Sequence, residues 1–448
     1  MVLDTKLTTY TRIDNAFLSE RPKIVFPLIK LQYFSVIVGY LLLTNRNFRN
    51  HQMLTLVTIF FWLSLGILFY CYIGYGVILL FLTGIKKLVA PRKRKQLTDY
   101  VLPVTLIVTA YNEKVILENK IANTLSLDYP PDKLNLIFIT DGSIDGSEEI
   151  VGKFPSIVAM HQPERKGKYA AIKRAMKQVQ TPIVVFSDAN TILNAACIKN
   201  IATHYAKEKT GGVAGEKKIA RNKAMTAVGE AEGLYWQYES FMKKLDAGFN
   251  TVTGAAGELF SIRTALFKEL DDDLILDDFV ISMQICLEGY KIEYEPEAFA
   301  IELPSASLAE EEKRKVRISA GAYQSISYLK DCLNIFKYPL LSFQYISRRL
   351  LRWVFCPVML VILFLSNFLL SNYQGPPGFY KGFLVAQIVF YLLAFAGWLL
   401  VRSGKRAGLF GIPFYFVFMN YCLVKGFIKF VQGRQSVLWE KSMRQAVE

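Results

Sequence analysis

The chain has 448 residues, a formal net charge of +15, 52% apolar side chains and 20% charged ones. A soluble enzyme rarely combines so apolar a composition with this charge, and the length indicates one soluble domain of about 200 to 250 residues joined to membrane spans. Six cysteines without a CxxC pair (Cys71, Cys197, Cys286, Cys332, Cys356, Cys422) argue against a disulfide framework or zinc site, and three histidines against histidine-based metal chemistry.

Residues 1–52 are a mixed N-terminal segment in which 24–43, apolar apart from Lys30, reads either as an extra span or as an interfacial helix. Residues 53–85 carry no charge. At roughly 1.5 Å per helical residue they exceed the ~30 Å hydrocarbon core, which predicts a tilted transmembrane helix. No A-x-A cleavage site follows it, so it is expected to remain as an anchor. Lys86, Lys87, Arg92, Lys93, Arg94 and Lys95 come next, a basic cluster that places the following domain in the cytoplasm and needs anionic headgroups rather than nucleic acid.

Over 100–335 short apolar strands alternate with helical segments, the βα rhythm of a mostly parallel sheet. Strands are expected at 104–109, 134–140, 157–160 and 183–187, and helices at 115–126, 146–153, 167–178 and 195–207. Beyond this domain, 340–353 mixes aromatic, aliphatic and Arg residues and predicts an interfacial helix. Residues 354–432 hold two or three spans, the last weakened by Pro413, Lys425 and Lys429, and 433–448 form a basic tail.

The strand at 183–187 is apolar enough to be buried on both faces, and it ends in Ser187, Asp188, Ala189 and Asn190. A carboxylate there stands at the edge where open α/β sheets bind ligands, though taken alone Asp188 reads equally as a turn or cap residue. Two earlier strands end likewise, in TAYNE with Tyr111 and Glu113, and in TDGSIDG with Asp141. Acids gathered on one sheet edge repel unless they meet a cation or hydrogen-bond donors. With oxygen ligands and few histidines, the cation indicated is Mg²⁺ or Mn²⁺ bridging a diphosphate. The loop Arg165, Lys166, Gly167, Lys168 opens a helix and offers Lys168 to phosphate; taken singly, each of these stretches is also an ordinary turn or a solvated charge run.

Taken in order, TAYNE, TDGSIDGS, RKGKYAAI, SDAN, TGAAGELFSIR (253–263) and LDDFVISMQICLEGYK (276–291) resemble the inverting family 2 glycosyltransferases. The likeness is to their membrane-embedded branch of cellulose, hyaluronan and poly-N-acetylglucosamine synthases. It implies an α/β GT-A domain, Rossmann-like, between N- and C-terminal transmembrane helices. It further implies a UDP-sugar donor, a glycan or glycolipid acceptor at the cytoplasmic face of the plasma (inner) membrane, and a divalent metal. Tyr111, Glu113 and Asp141 would hold the nucleoside, Lys168 the diphosphate, and Asp188 with Asn190 the metal. Asn190 stands where the family's DxD motif has a second acid. Gly254 to Gly257 would face donor sugar and acceptor, and Asp278 would be the general base, with Asp277 either its acidic partner or an N-cap. The family's QxxRW has no literal copy at the expected place. Arg314 and Arg317 supply its cations, while Arg349 to Trp353 (RxxRW) is a second match that reads equally as a headgroup anchor. Processive synthesis and single-sugar transfer to a lipid both stay open. A nucleotide-binding transporter or inactive sensor is the reading from another class, disfavoured because the clustered acids lie in the soluble domain.

Overall fold

The computed structural model describes residues 46–89, 100–220, 227–373 and 378–438; the segment 24–43 and most of the basic tail lie outside them. The chain falls into two units, Met1–Thr58 and Ile59–Glu448. In chain order the elements are α1 (Gln52–Val89), β1 (Val104–Ala110), α2 (Lys114–Leu125), β2 (Leu134–Asp141), α3 (Ser147–Gly152), β3 (Val158–Gln162), α4 (Lys168–Met176), β4 (Ile183–Asp188), β5 (Thr191–Leu193) and α5 (Cys197–His204). They continue with β6 (Thr210–Ile219), α6 (Ala227–Phe249), β7 (Leu259–Arg263), α7 (Asp277–Leu287), β8 (Lys291–Glu302), α8 (Leu308–Tyr328), α9 (Pro339–Asn372), α10 (Phe379–Arg402) and α11 (Gly408–Val431).

Among the described residues the strands form one sheet in the order β3-β2-β1-β4-β7-β6-β8-β5. β3, β2, β1 and β4 run parallel, the expected Rossmann-like core, and antiparallel β7 extends it. Alternation along each strand makes two cores. Val104, Leu106 and Val108 of β1 and Ile183 and Val185 of β4 pack under α2 and α5. Ile107, Val184 and Phe186 point to the other face, against α4 and α7. Phe186 stacks on Phe260 of β7 at 4.7 Å, and each such buried side chain contributes about 1.5–3 kcal/mol.

Because β2 and β3 lie on one side of β1 and β4 on the other, the strand order reverses between β1 and β4. Asp188, paired in register with Thr109, therefore stands at a topological switch point, where a crevice opens.

Among the described residues, four helices are long and apolar enough to cross a membrane: α1, α9, α10 and α11. The expected interfacial helix over 340–353 is not a separate element. It is the first half of α9, π-helical over Ile346–Phe355, and runs without a break into the apolar stretch. Its arginines turn inward because a buried carboxylate awaits them: Glu239 on α6 accepts from Arg348 (2.8 Å) and Arg352 (2.7 Å), and both arginines are buried. Another buried acid, Asp246, takes the Tyr75 hydroxyl of α1 at 2.6 Å, so α6 is tied to the first span as well.

Candidate active site

A cavity of 1710 Å³ opens at the switch point. Tyr111, Glu113, Lys168, Asp188 and Asn190 line it, as do Gly254, Gly257, Asp278, Arg314 and Arg317; it continues to Tyr72 of α1 and to Phe416 and Asn420 of α11.

At the centre of the site, charged side chains crowd against Gly257 so closely that no side chain fits there. A methyl group there would lie 2.7 Å from Lys168 Nζ, 3.3 Å from Asp278 Oδ2 and 3.8 Å from Asp188 Oδ2. Three elements far apart in sequence, α4, α7 and the end of β4, thus bring charged atoms to one place, and the absence of a side chain at Gly257 lets them approach it. Gly254 is constrained too: its φ is +92°, and any Cβ would collide with the Phe279 ring. Lys168 Nζ bonds Asp188 Oδ1 at 2.5 Å.

Carboxylates outweigh cations here. Burial opposes the Lys168 charge, yet Asp188, Asp277 and Asp278 together push the ammonium well above its ordinary range. Burial raises the Asp188 carboxyl, against the pull of Lys168. Asp278 is pushed up to about 7, first by burial and then by the adjacent Asp277 charge. Asp277 is not the N-cap of α7, a position held by Leu276; its Oδ2 is buried without a hydrogen-bond partner.

The two arginines expected to serve the leaving group differ. Arg314 is engaged by Glu232 (2.5 Å) and Glu311 (3.1 Å), whereas Arg317 faces the fields of Asp277, Asp188 and Asp278 and keeps a buried Nε without a partner. The RxxRW segment does not anchor headgroups with Arg349. That guanidinium donates to the Thr253 carbonyl at the root of the TGAAG loop, and Trp353 packs edge-on against Phe279 at 5.3 Å.

At the other end, Arg165 lies 3.6 Å over the Tyr111 ring. Asp141, fully buried, accepts from the Lys166 and Gly167 amides (3.0 and 2.7 Å) and from Arg174 (3.0 Å). It holds the RKGK loop in place and does not line the cavity.

Sequence reasoning missed Lys120. Fully buried on α2, it donates to Ser187 Oγ (2.9 Å) and the Thr191 carbonyl (2.8 Å), fixing the turn that carries Asp188 and Asn190. Burial lowers its ammonium to about 7. The only signal was a lysine on the apolar side of a helix. Also missed was α6, which supplies Glu232, Glu239 and Asp246.

A Rossmann-like sheet extended by antiparallel strands, with acids gathered at the switch point, is a GT-A fold. The chain superposes on the mannosyltransferase PcManGT from Pyrobaculum calidifontis, solved with GDP-Man and Mn²⁺, with a TM-score of 0.62 over 84% of this chain and 99% of that one, at 18% identity. Residues 103–321 match the model of "Glycosyltransferase like family 2". The chain is homologous to poly-beta-1,6-N-acetyl-D-glucosamine synthases. It is 27% identical over 278 residues to that of Staphylococcus aureus (strain COL), covering 59% of this chain, and 26% identical over 253 residues to that of Staphylococcus epidermidis, covering 53%. The matches span 64% and 58% of those relatives' lengths.

Proposed function

We propose that the protein is an inverting membrane glycosyltransferase that moves a sugar from a UDP-sugar to a growing polysaccharide or glycan at the cytoplasmic face. The observation that carries this reading is the meeting of Lys168, Asp188 and Asp278 beside Gly257 on one cavity wall, within a domain homologous to polysaccharide synthases. The donor diphosphate lies along Lys168 and the N-terminus of α4, and the nucleoside lies toward Tyr111 and Glu113. Asp278 accepts the proton of the acceptor hydroxyl as that oxygen attacks the anomeric carbon from the face opposite the diphosphate. A carboxylate pushed up to about 7 is poised for this, since it is a stronger base than an exposed one and is still ionised near neutrality. Lys168 and Arg317 stabilise the charge that develops on the departing diphosphate.

The donor set fits a hard cation. Asp188 supplies a carboxylate, and the Asn190 amide oxygen is buried without a hydrogen-bond partner while its nitrogen donates to Glu302. No group of three His, Cys, Asp or Glu ligands exists among the described residues, so Asp188 and Asn190 would hold the ion together with substrate phosphate, as Mg²⁺ and Mn²⁺ sites commonly allow. Such an ion supplies Lewis-acid stabilisation of the leaving diphosphate. The match of the pyrobaculum enzyme, solved with Mn²⁺, supports a divalent ion without choosing between the two.

The test is incubation of the purified protein with a panel of nucleotide sugars and Mn²⁺ or Mg²⁺, UDP-N-acetylglucosamine first, following nucleotide release and product size together. Metal-dependent transfer from one UDP-sugar is expected. Absence of transfer from every donor, with the protein folded, overturns the reading.

A further inference from the structure

The cavity continues past the reacting groups into a chamber whose walls include Tyr235, Trp236, Tyr238 and Trp353. It adjoins the proposed base, because Trp353 packs on Phe279, the residue after Asp278. Most charged groups here have partners. Lys217 pairs with Glu258 (2.5 Å) and with Glu302, Arg314 with Glu232 and Glu311, and Arg348 and Arg352 with Glu239. Glu216 accepts from the hydroxyls of Ser240 and Tyr294.

Lys243, on α6, is different. Its side chain is only 4% exposed and lines the cavity, yet its ammonium, 5.7 Å from the centre of the Trp236 ring, has no hydrogen-bond partner. A buried ammonium with unmet donors is costly unless something enters to accept from them. Burial lowers its ammonium, against the pull of the Glu216, Glu258 and Glu239 carboxylates, and what the geometry leaves open is an acceptor for its N–H groups. A carboxylate brought in by a ligand would face those same acids. An uncharged sugar fits instead, since it brings hydroxyl or N-acyl oxygens to the ammonium and C–H faces to the aromatic walls, the mixture of apolar lining and few polar groups typical of small-molecule sites.

We infer that Lys243 and Trp236 form an acceptor subsite that takes an uncharged sugar, with the ammonium donating to a hydroxyl or N-acyl oxygen and the indole packing on the pyranose face. The inference rests on the glycosyltransferase reading above and adds to it the charge class of the acceptor.

The experiment is calorimetric titration of the full chain in nanodiscs, saturated with UDP and Mn²⁺. The titrants are a β-linked N-acetylglucosamine tetrasaccharide and an oligouronide of equal length. The wild type is expected to bind the neutral tetrasaccharide at least tenfold more tightly than the oligouronide. Lys243→Met is expected to weaken the tetrasaccharide tenfold or more while UDP affinity stays within twofold. Trp236→Leu, on the same chamber, is expected to do likewise and serves if K243M does not fold. Equal or tighter oligouronide binding, no tetrasaccharide binding by the wild type, or unchanged tetrasaccharide affinity in the folded variants overturns the subsite. Those results leave the glycosyltransferase reading standing wherever UDP binds and transfer occurs, and that reading fails separately if no UDP-sugar is used.

Discussion

The Arg349 guanidinium closes on the Thr253 carbonyl with two hydrogen bonds, from Nε at 2.9 Å and from Nη2 at 2.7 Å. One end of this contact belongs to α9, a helix long and apolar enough to cross a membrane, the other to the loop bearing Gly254 and Gly257. The loop is thus positioned by α9.

Arg349→Ala is therefore expected to slow sugar transfer tenfold or more while nucleotide affinity changes little, because the loop loses a two-pronged, charge-assisted support. Arg349→Lys should recover only part of the rate, since a lysine cannot reproduce the fork. Steady-state kinetics on both variants checks this, and a normal rate in a folded R349A counts against it.

The pH profile should report Asp278. With its carboxyl pushed up to about 7, transfer is expected to rise with pH through that region as the proton leaves. Asp278→Asn should lose 10²- to 10⁴-fold in rate while still binding UDP. The linkage has a definite sign. An acid whose folded pKa is raised binds more protons folded than unfolded, so its effect on stability worsens as pH climbs from about 4 to about 7. Asp278→Asn should therefore raise the melting temperature at pH 8 more than at pH 5. An equal shift at both values would remove Asp278 as the raised group.

Asp188→Ala should abolish metal-dependent transfer without unfolding the protein. It also removes the partner of Lys168, so UDP affinity should lose its dependence on Mn²⁺ or Mg²⁺. Calorimetry with and without the metal tests this, and a retained metal dependence would place the ion elsewhere.

Arg317 and Arg314 should separate cleanly. Arg317→Ala is expected to slow transfer more than tenfold in a stable protein, the loss of one charge-assisted contact of about 1.5–3 kcal/mol. Arg314→Ala leaves Glu232 buried without its cation and Glu311 with Lys315 alone, and should destabilise by about 3–5 kcal/mol. Thermal denaturation beside kinetics distinguishes them; a stable R314A of low activity would reverse the assignment.

The parallel half of the sheet was legible because its strands are continuous apolar runs ending in turn residues. β1, β2 and β4 fall within a residue of their expected limits, and β3 begins one residue later. β6 escaped notice for a physical reason: it reads TGGVAGEKKI, with a glycine pair and with Glu216 and Lys217 buried as a result of tertiary pairing that no periodicity reveals. The acids at the strand ends were readable from position alone. Their division of labour was not, because Asp141 turns to the RKGK loop and Asp188 to Lys168 only once α4 is folded beside them. For the same reason Arg348 and Arg352 read as surface residues: their partner lies on α6, more than a hundred positions upstream.

That separation bears on how the protein is made. Glu239 leaves the ribosome 109 residues before Arg348, so the carboxylate is synthesised, and its domain can fold, before the arginines emerge. Both cations at the head of α9 are neutralised by that one acid, so seating this helix requires α6 to be in place first.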